Sequence, residues 1–493
     1  MLINKITIVG GGTAGLISAL ILKTRFKDKE LEIIKSDKIG IIGVGEGTTE
    51  HWSNFMNYVG INQKELIKEC NATVKYGVMF EDWTDKPYFH NINSFLETNK
   101  FGQYQAGFGN LISKNKEQIE STERLYKKNE MIFDELNENQ LSVNQYHFDT
   151  FKLNEFLLKK CKERNITIID DVITDVNINE SGNITSLVGG KNNVSSYKSD
   201  FFIDCTGFKR QLITKMGAKW NDYNDYLKLN HAIAFQTEDT ENYNVYTLSK
   251  AMKYGWMWSI PVWGRWGNGY IFDDTLIDSE QAKKEVEEVL GKEIKVARDI
   301  KFEAGALDKP WIGNCLAVGL CANFIEPLEA TSIGTSINQM FLLMHHLENY
   351  EQTDIDDYNK KMNSVMENIR DFVFVHYMVK RKDTDFWKKV TELEPPKTLK
   401  ENLKRWKTRL PIKDDFNDTN YHLFFEQNWA SVLWGLELFD KDKITKEYNS
   451  YPDNFKEFIE KNLKSLDDFY EKNQQIAHKL FLTLYRGEDD KTK

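Results

Sequence analysis

Three glycines near the start of the chain have the spacing of a phosphate-binding turn. Gly10, Gly12 and Gly15 form the pattern G-x-G-x-x-G inside the run GGGTAG. In such a turn the first glycine allows a tight bend, the second lets a pyrophosphate approach the backbone, and the third lets a helix pack closely on a strand. The positive end of the helix dipole then faces the phosphates, so Thr13 and Ala14 are assigned to the same site. The pattern predicts dinucleotide binding in preference to a purely structural turn.

Two later segments fit an extended dinucleotide. The glycine-rich run IIGVGEGTTEHW (residues 41–52) could form a loop across the cofactor, which assigns Gly45 and Glu46 to it. Gly319, in LAVGL, lies at a late strand-to-helix turn of the kind that large FAD monooxygenases place against the flavin. Since no second G-x-G-x-x-G occurs, the sequence predicts FAD without a built-in NAD(P)H site.

The usual acidic anchor for the cofactor ribose is missing from the second strand of this unit. Lys35 and Ser36 stand where the acidic residue is expected. Asp37 is a candidate substitute, or the ribose is held in another way.

Tryptophan is concentrated in one short stretch, GWMWSIPVWGRWGNGYIF (residues 255–272). Trp256, Trp258, Trp263 and Trp266 fall within eleven residues, although the whole chain has only 12 tryptophans. Bulky indoles crowded beside a proline in a strand-like segment predict a wall that blocks or lines a cavity. The simpler interpretation is that the four rings fill the core of a sheet.

The elements that must position these residues follow an α/β order. A β-rich run at residues 5–9, a helical run after GGGTAG and a second β-rich run at residues 31–35 make one βαβ unit. FFIDCTG (residues 201–207) is a further strand ending in a turn, and a long amphipathic helix is expected from about Thr335. The fold class is therefore α/β, with an FAD-binding Rossmann-like core of the aromatic hydroxylase (monooxygenase) type and a mainly helical C-terminal part.

These elements suggest two domains. We expect residues 1–335 to form the FAD-binding α/β core with an inserted β-rich region on the substrate side. Residues 336–493 are expected to form a mainly helical subdomain, also on the substrate side. The terminal GEDDKTK is expected to be frayed.

Composition excludes several classes of protein. The 493-residue chain carries a net charge of -10, which argues against nucleic-acid binding. Its five cysteines include no C-x-x-C pair, so neither a zinc site nor a disulfide framework is indicated, and no metal is expected. No apolar run approaches the ~20 residues that span a bilayer, and the first apolar segment lacks the layout of a signal peptide. A cytoplasmic location without membrane contact is expected, with oligomerisation left open.

In sequence order, these segments and several others resemble the flavin-dependent halogenases of the tryptophan-halogenase type. The W-x-W-x-I-P element is the most specific of them, and Trp256, Trp258, Ile260 and Pro261 fill it. The matching segments are GGGTAG, GVGEGT, NATVKYGVMFEDW (residues 71–83), YHFDTFKLNEFL (146–157), DCTGF, GWMWSIP (255–261), NFIEPLEATSIG (323–334) and DFVFVHY (371–377).

The resemblance implies a two-step reaction. Reduced FAD (FADH2), supplied by a separate flavin reductase, reacts with O2, and a halide ion is oxidised to hypohalous acid. The acid passes through a tunnel to Lys75, the lysine that matches the family motif, and halogenates an electron-rich aromatic ring. The matching glutamate is Glu329, at the end of PLE, and Glu326 is the competing carboxylate.

The chemistry of these two side chains suits such roles. A lysine ammonium in a dry tunnel can hydrogen-bond to hypohalous acid and polarise it, or form a haloamine when deprotonated. A carboxylate at Glu329 can stabilise the cationic ring intermediate and accept the ring proton. The simpler alternatives are a surface lysine among 65 Lys and Arg, and a glutamate that stabilises a helix N-terminus.

The resemblance also points to a changed halide site. In the family a Ser-Thr-Gly follows the glutamate and its backbone helps to hold the halide, whereas this chain has Ala330-Thr331-Ser332. Backbone N–H groups at Thr331 and Ser332 can still hold an anion. We hypothesise that the altered pocket accepts bromide or iodide more readily than chloride.

The many aromatic residues of the chain suit a flat aromatic substrate. The W-x-W-x-I-P element would form a wall between the flavin and the substrate; its residues are Trp256, Trp258, Ile260 and Pro261. Aromatic candidates for a sandwich around a flat ring are equally suited to a plain core; they are Phe89, His90, Phe424, Trp429 and Trp434. Tyr421 and Glu426 are only loosely placed to hold the charged groups of free tryptophan. A free indole or phenol-type molecule is therefore favoured, and a carrier-tethered substrate is left open.

Two other functions are compatible with an FAD fold. An FAD-dependent aromatic monooxygenase would hydroxylate its substrate, but it must let the substrate reach the flavin, which Trp256 and Trp258 would obstruct. A non-catalytic FAD-fold binding protein would need neither Lys75 nor Glu329.

Overall fold

The computed structural model describes residues 3–41, 46–92, 103–117, 120–137, 145–190 and 196–487. Gly45, which we assigned to the cofactor, and residues 488–493 of the expected frayed tail lie outside the described residues.

The described strands are short, and most have several buried residues. In chain order they are β1 Lys5–Val9, β2 Glu30–Lys35, β3 Glu46–Gly47, β4 Thr73–Lys75, β5 Gly77–Glu81, β6 Tyr88–Asn91, β7 Glu130–Ile132, β8 Gln145–Phe148, β9 Thr167–Asp170, β10 Ile173–Ile178, β11 Ile184–Gly189, β12 Phe201–Asp204, β13 Trp220–Asp222, β14 His231–Thr237, β15 Tyr246–Ala251, β16 Gly255–Val262, β17 Arg265–Phe272, β18 Val296–Lys301, β19 Gly305–Leu307, β20 Trp311–Ile312, β21 Cys315–Ala317, β22 Asn323–Phe324 and β23 Gln475–Ala477.

The described helices become frequent in the second half of the chain. They are α1 Thr13–Arg25, α2 His51–Val59, α3 Gln63–Glu69, α4 Gln103–Ser113, α5 Glu120–Lys128, α6 Thr150–Glu163, α7 Ser279–Leu290, α8 Thr331–His346, α9 Gln352–Val375, α10 Asp385–Thr391, α11 Lys397–Trp406, α12 Glu426–Gly435, α13 Lys441–Asn449, α14 Asp453–Lys472 and α15 His478–Arg486.

The chain folds into two compact units, each assembled from three separate segments. Unit 1 comprises residues 1–70, 148–224 and 303–369, and unit 2 comprises residues 71–147, 225–302 and 370–493. The assignment of residues 336–493 to a separate helical subdomain stays a prediction.

Unit 1 is built on a six-stranded sheet in the order β20-β21-β12-β1-β2-β9. The neighbours of β1 run parallel to it, as the crossover through α1 requires. Helix α1 is buried from Gly15 to Leu22 and packs against α8 and α6. Five of the six strands run parallel, with β20 as an antiparallel edge strand, and this arrangement confirms the α/β class and the βαβ unit.

Unit 2 is built on a seven-stranded sheet in the order β18-β14-β17-β16-β15-β5-β6. Strands β16 and β17 form an antiparallel hairpin that turns at Gly264, where φ is 87°. One face of this sheet packs against α7 through a cluster that includes Met257, Tyr270, Phe272 and Val286. Residues that alternate with Met257 along β16 must therefore point to the other face.

The long helix after the PLE segment begins at Thr331, so the expected start near Thr335 was wrong. Ala330, immediately before it, adopts a left-handed conformation with φ 55°. Thr331, Ile333 and Gly334 are buried in the first turn, and this burial outweighs the weak helix propensity of Thr and Gly. Within the part of the chain that the structure describes, no helix has the length and hydrophobicity needed to cross a membrane.

Candidate active site

The glycine-rich turn in unit 1 has the backbone geometry that its spacing predicts. Gly10 has φ 121°, and a Cβ atom there would lie 2.2 Å from the carbonyl oxygen of Cys205. A Cβ at Gly15 would lie 2.1 Å from the carbonyl oxygen of Gly10, whereas a Cβ at Gly12 would have nothing within 4 Å. The first and third glycines are thus required for packing, and the second leaves open space beside the backbone.

This open space is suited to a pyrophosphate. Gly12 is the N-cap residue of α1 and offers no side chain to the first N–H groups, which belong to Thr13, Ala14 and Gly15. Gly319, with φ 70°, is so close that a Cβ there would lie 2.6 Å from the Cβ of Ala14. The late turn and the glycine turn therefore lie side by side, and these residues fit the phosphate part of FAD.

A lysine covers the place where the acidic ribose anchor was expected. The Lys35 side chain lies over Gly11, where an added Cβ would be 2.7 Å from the Lys35 Cβ. Its ammonium is hydrogen-bonded to Asp37. Asp37 is thus held by Lys35 at the end of β2. Of the other assigned loop residues, Glu46 opens the short strand β3.

The carboxylate segment lies in unit 1, at the start of α8. Glu326 precedes a 3-10 turn, Pro327–Glu329, and both glutamates have 0% exposure. The N-cap residue of α8 is Ala330, which makes no side-chain capping bond, so Glu329 does not occupy the capping position. Glu329 is therefore a buried carboxylate one residue before the N-cap of a 16-residue helix, near the positive end of the helix dipole. Thr331 is buried and Ser332 exposed at this N-terminus.

Lys75 lies in unit 2 on β4, and its side chain has 0% exposure. Strand β4 pairs with β8 in antiparallel register, with Thr73 opposite His147 and Lys75 opposite Gln145. Residues opposite one another share a face, so these four side chains lie on one face of the pair. A fully buried lysine is rare, which removes the surface-lysine interpretation.

Next to Lys75 lies a hydrogen-bonded histidine. The Thr73 hydroxyl donates to the Pro261 carbonyl at 2.7 Å, so it accepts from His147 Nδ1, 3.3 Å away. His147 Nε2 is then the acceptor for the Thr247 hydroxyl at 2.9 Å. Burial lowers the pKa of His147 well below its usual value, and the nearby Lys75 and His478 lower it further. His147 is thus neutral, next to the buried Lys75.

The strand β16 carries the tryptophan signature. Trp256, Trp258 and Ile260 alternate along it on the face away from Met257, whereas Pro261 points to the Met257 face. Trp258 lies opposite Gly269, where a Cβ would be 2.1 Å from the indole ring. The missing side chain at Gly269 lets the ring lie against β17, 6.1 Å from the Trp256 ring. Two indoles therefore line one face of the sheet.

The second tryptophan pair has a different environment. Trp263 and Trp266 flank the hairpin turn and are only partly buried. Both rings contact Tyr243, and Trp266 Nε1 donates to the Thr240 hydroxyl at 3.0 Å. These contacts are surface packing.

The aromatic substrate candidates lie in unit 2 and pack against protein rings. Phe424 stacks on Phe372 with ring centroids 3.8 Å apart, and Phe89 stacks on Tyr126 at 4.2 Å. Trp429 contacts the edge of Phe372, and His90 Nε2 is 3.3 Å from the Asn428 amide. A flat substrate would have to use the faces that these partners leave uncovered. Trp434 donates to the Lys116 carbonyl at 3.1 Å.

Sequence reasoning missed the neighbours of Lys75 and the glycines that seat Trp258. Gln145 and His147 become neighbours of Lys75 only through strand pairing. The alternation Gly267-x-Gly269 could have indicated a strand face left bare for a large ring. Among the described residues, no His, Cys, Asp or Glu cluster is arranged to hold a metal ion.

Comparison with known proteins gives one family. The family model for tryptophan halogenase matches residues 5–448. The tryptophan 6-halogenase SttH of Streptomyces toxytricini is 28% identical, over 95% of this chain and 98% of its own. Its crystal structure has a TM-score of 0.83 at 25% identity, over 98% of this chain and 100% of that chain. A flavin-dependent halogenase from Xanthomonas campestris has a TM-score of 0.84 at 26% identity, over 98% and 99% of the two chains.

Proposed function

From the family to which the chain belongs, the tryptophan halogenases, we propose how two of its side chains act. The protein is a flavin-dependent halogenase of aromatic substrates. In the proposal, Lys75 delivers hypohalous acid to the ring and Glu329 accepts the ring proton. The observation that supports this proposal best is the complete burial of Lys75 on a strand hydrogen-bonded, through Thr73, to the end of the tryptophan strand. The alternatives of a hydroxylase and a non-catalytic binder become outcomes of the test below.

FAD is the cofactor that the glycine turn of unit 1 fits. Gly10, Gly12, Thr13, Ala14, Gly15 and Gly319 would hold it. The sequence motif adds Gly45 and Glu46 to this proposed set. When bound in its reduced form, FAD supplies the electrons with which O2 converts halide to hypohalous acid. The Lys35–Asp37 pair in place of a free acidic anchor would weaken the hold on the ribose. Weak binding suits a cofactor that a separate flavin reductase must reduce and return.

Lys75 acts on hypohalous acid as a hydrogen-bond donor. Its ammonium would donate to the oxygen of the acid, draw electron density from the halogen and stabilise the oxygen as it leaves. Neutral His147 beside it keeps a second positive charge away from this face. Trp256 and Trp258 would exclude the organic substrate from the flavin, so that only the small hypohalous acid travels through a tunnel between the two reactions.

Glu329 is suited to the step in which the halogenated ring loses its proton. Halogen attack on a ring creates a cationic intermediate, which a buried carboxylate stabilises and then deprotonates. The backbone N–H groups of Thr331 and Ser332 at the start of α8 would hold the halide ion. The substrate we favour is a free indole or phenol-type ring, although relatives such as SttH are named for tryptophan.

Product analysis tests the proposal directly. The protein is supplied with FAD, a flavin reductase, NADH, O2, bromide and a panel of tryptophan, indoles and phenols. Brominated products are expected by mass spectrometry from the wild type. Lys75→Met should lower their yield by at least about 100-fold while flavin oxidation continues. Lys284→Met, which alters an exposed lysine on α7, is the control and should behave like the wild type.

Other outcomes of the same assay would overturn the proposal. Hydroxylated products without halogen would identify a monooxygenase. Absence of both turnover and flavin oxidation would favour a binding protein. Wild-type bromination by Lys75→Met would remove the lysine from the mechanism.

The halide preference needs a separate measurement. With equimolar chloride, bromide and iodide, brominated or iodinated product should exceed chlorinated product. The double variant Ala330→Ser, Ser332→Gly restores the family's Ser-Thr-Gly and should move the preference toward chloride. A clear chloride preference in the wild type would refute the halide hypothesis.

A further inference from the structure

The face of the β4–β8 pair that carries Lys75 also carries the side-chain amide of Gln145, to which the reaction proposed above gives no role. Gln145 lies directly opposite Lys75 in the antiparallel register. Opposite residues have Cβ atoms about 4.5–5.5 Å apart and project to the same side of the sheet. Gln145 and Lys75 therefore share one small volume of the interior of unit 2.

The polar groups on this face differ in how they are satisfied. Thr73 and His147 are hydrogen-bonded to each other. Thr73 also bonds to the Pro261 carbonyl, and His147 also bonds to the Thr247 hydroxyl. Gln145 has 0% exposure, yet neither its Oε1 nor its Nε2 has a hydrogen-bond partner in the described part of the chain. Buried amides nearly always have partners, because losing water without replacement is costly. Both hydrogen-bonding atoms of the Gln145 amide are therefore available to a small molecule on this face.

We propose that Gln145 binds hypohalous acid together with Lys75, and this proposal rests on the function proposed for Lys75. A lysine ammonium can only donate, whereas hypohalous acid offers both an O–H donor and an oxygen acceptor. Lys75 donates to that oxygen, and Gln145 Oε1 accepts the O–H. The two contacts fix the direction of the oxygen–halogen bond, so one position of the aromatic ring meets the halogen.

The substitution step balances with these two residues. The ring forms a bond to the halogen, and the oxygen–halogen bond breaks with its electron pair on oxygen. Oxygen takes a proton from the Lys75 ammonium and leaves as water. The ring proton goes to the carboxylate base and restores the lysine charge through solvent. The sum is aromatic ring plus hypohalous acid giving halogenated ring plus water, and Gln145 is unchanged.

The consequence to measure is coupling between halide oxidation and product. Without Gln145 the acid is held by one contact, so more of it escapes before it meets the ring. Gln145→Met keeps the length of the side chain and removes both hydrogen-bonding atoms. Its yield of brominated product per FADH2 oxidised should fall about tenfold, hypobromous acid trapped in solution should rise, and the mixture of product isomers should broaden. The rate of FADH2 oxidation should not change.

Two further variants separate this role from a structural one. Thr122→Val removes another fully buried polar atom without a partner among the described residues, on α5, and should leave coupling unchanged. Gln145→Glu keeps an acceptor oxygen and should recover coupling above that of Gln145→Met. A wild-type coupling ratio and isomer mixture in Gln145→Met would overturn the proposal, and so would a Gln145→Glu variant no better than Gln145→Met.

The two proposals can fail separately. If Lys75→Met loses product and Gln145→Met keeps full coupling, only the role of Gln145 is refuted. If Lys75→Met still brominates normally, the lysine mechanism itself is refuted. A melting temperature of Gln145→Met at or above the wild-type value is expected, since an unpartnered buried amide is removed, and it would show that the fold is intact.

Discussion

Glu326 and Glu329 are two glutamates close in sequence that lie at different positions relative to the start of α8. Both are fully buried in unit 1. Glu329 ends the 3-10 turn next to left-handed Ala330, and Glu326 stands before Pro327 at the other end. A non-glycine residue in the left-handed region carries strain, and such residues cluster at functional positions. The strained junction sets Glu329 just ahead of the α8 N-terminus, where its negative charge is favoured.

Glutamine substitutions test which carboxylate acts as the base. Glu329→Gln keeps the shape of the side chain but removes the negative charge and the proton-accepting capacity. Halogenated product should fall by about 10²–10⁴-fold, with hypohalous acid still formed, as measured by a chemical trap. Glu326→Gln is the matched comparison and should lose less activity. A larger loss in Glu326→Gln would move the base role to Glu326.

At the scale of elements, the β16–β17 hairpin shows how a strand accommodates large rings. Trp258 fits because Gly269 opposite has no side chain, and Ile260 approaches Gly267 in a looser contact of 3.3 Å to the added Cβ position. The opposite face of the hairpin packs against α7 and holds the strands in register. The indole wall is thus a property of paired residues on two strands.

Adding one methyl group at Gly269 tests this arrangement. A Cβ there would lie 2.1 Å from the Trp258 indole, so Gly269→Ala must displace the ring or the strand. We expect a loss of about 1–3 kcal/mol in unfolding free energy, a changed near-UV circular dichroism spectrum and reduced halogenation. Gly267→Ala is the control, with a milder contact. Wild-type stability and activity in Gly269→Ala would show that Trp258 is not held by this contact.

At the scale of the whole molecule, buried neutral histidines occur in both units. Burial lowers the pKa of His51 in unit 1 and of His147, His422 and His478 in unit 2. His478 is the best-defined case, with its pKa lowered to about 4. Its Nε2 accepts the Val74 N–H at 3.2 Å, and its Nδ1 donates to the Asn244 carbonyl at 3.1 Å. His478 thereby supports the strand that carries Lys75.

The pH dependence of stability follows from the direction of this shift. The unfolded side chain binds a proton below about pH 6.5 and the folded one only below about pH 4. The contribution of His478 is therefore complete above pH 6.5 and is lost as pH falls toward 4. The destabilisation caused by His478→Asn, measured by urea unfolding, should be larger at pH 7.5 than at pH 5. An equal destabilisation at both values would contradict the neutral, buried assignment.

In the sequence, the resemblance of motifs was enough for the family and the residues that match it, and local patterns were enough for the α/β class and the glycine turn. These features depend on short spacings, because a turn, a strand period or a capping position involves neighbours along the chain. Tertiary structure alone decided that Gln145 and His147 lie beside Lys75, that Gly269 seats Trp258, and that the chain divides into two units of three segments each. Strand pairing and burial bring together residues that are far apart in sequence. Which strands pair depends on the packing free energy of the whole core, so short sequence patterns do not predict it.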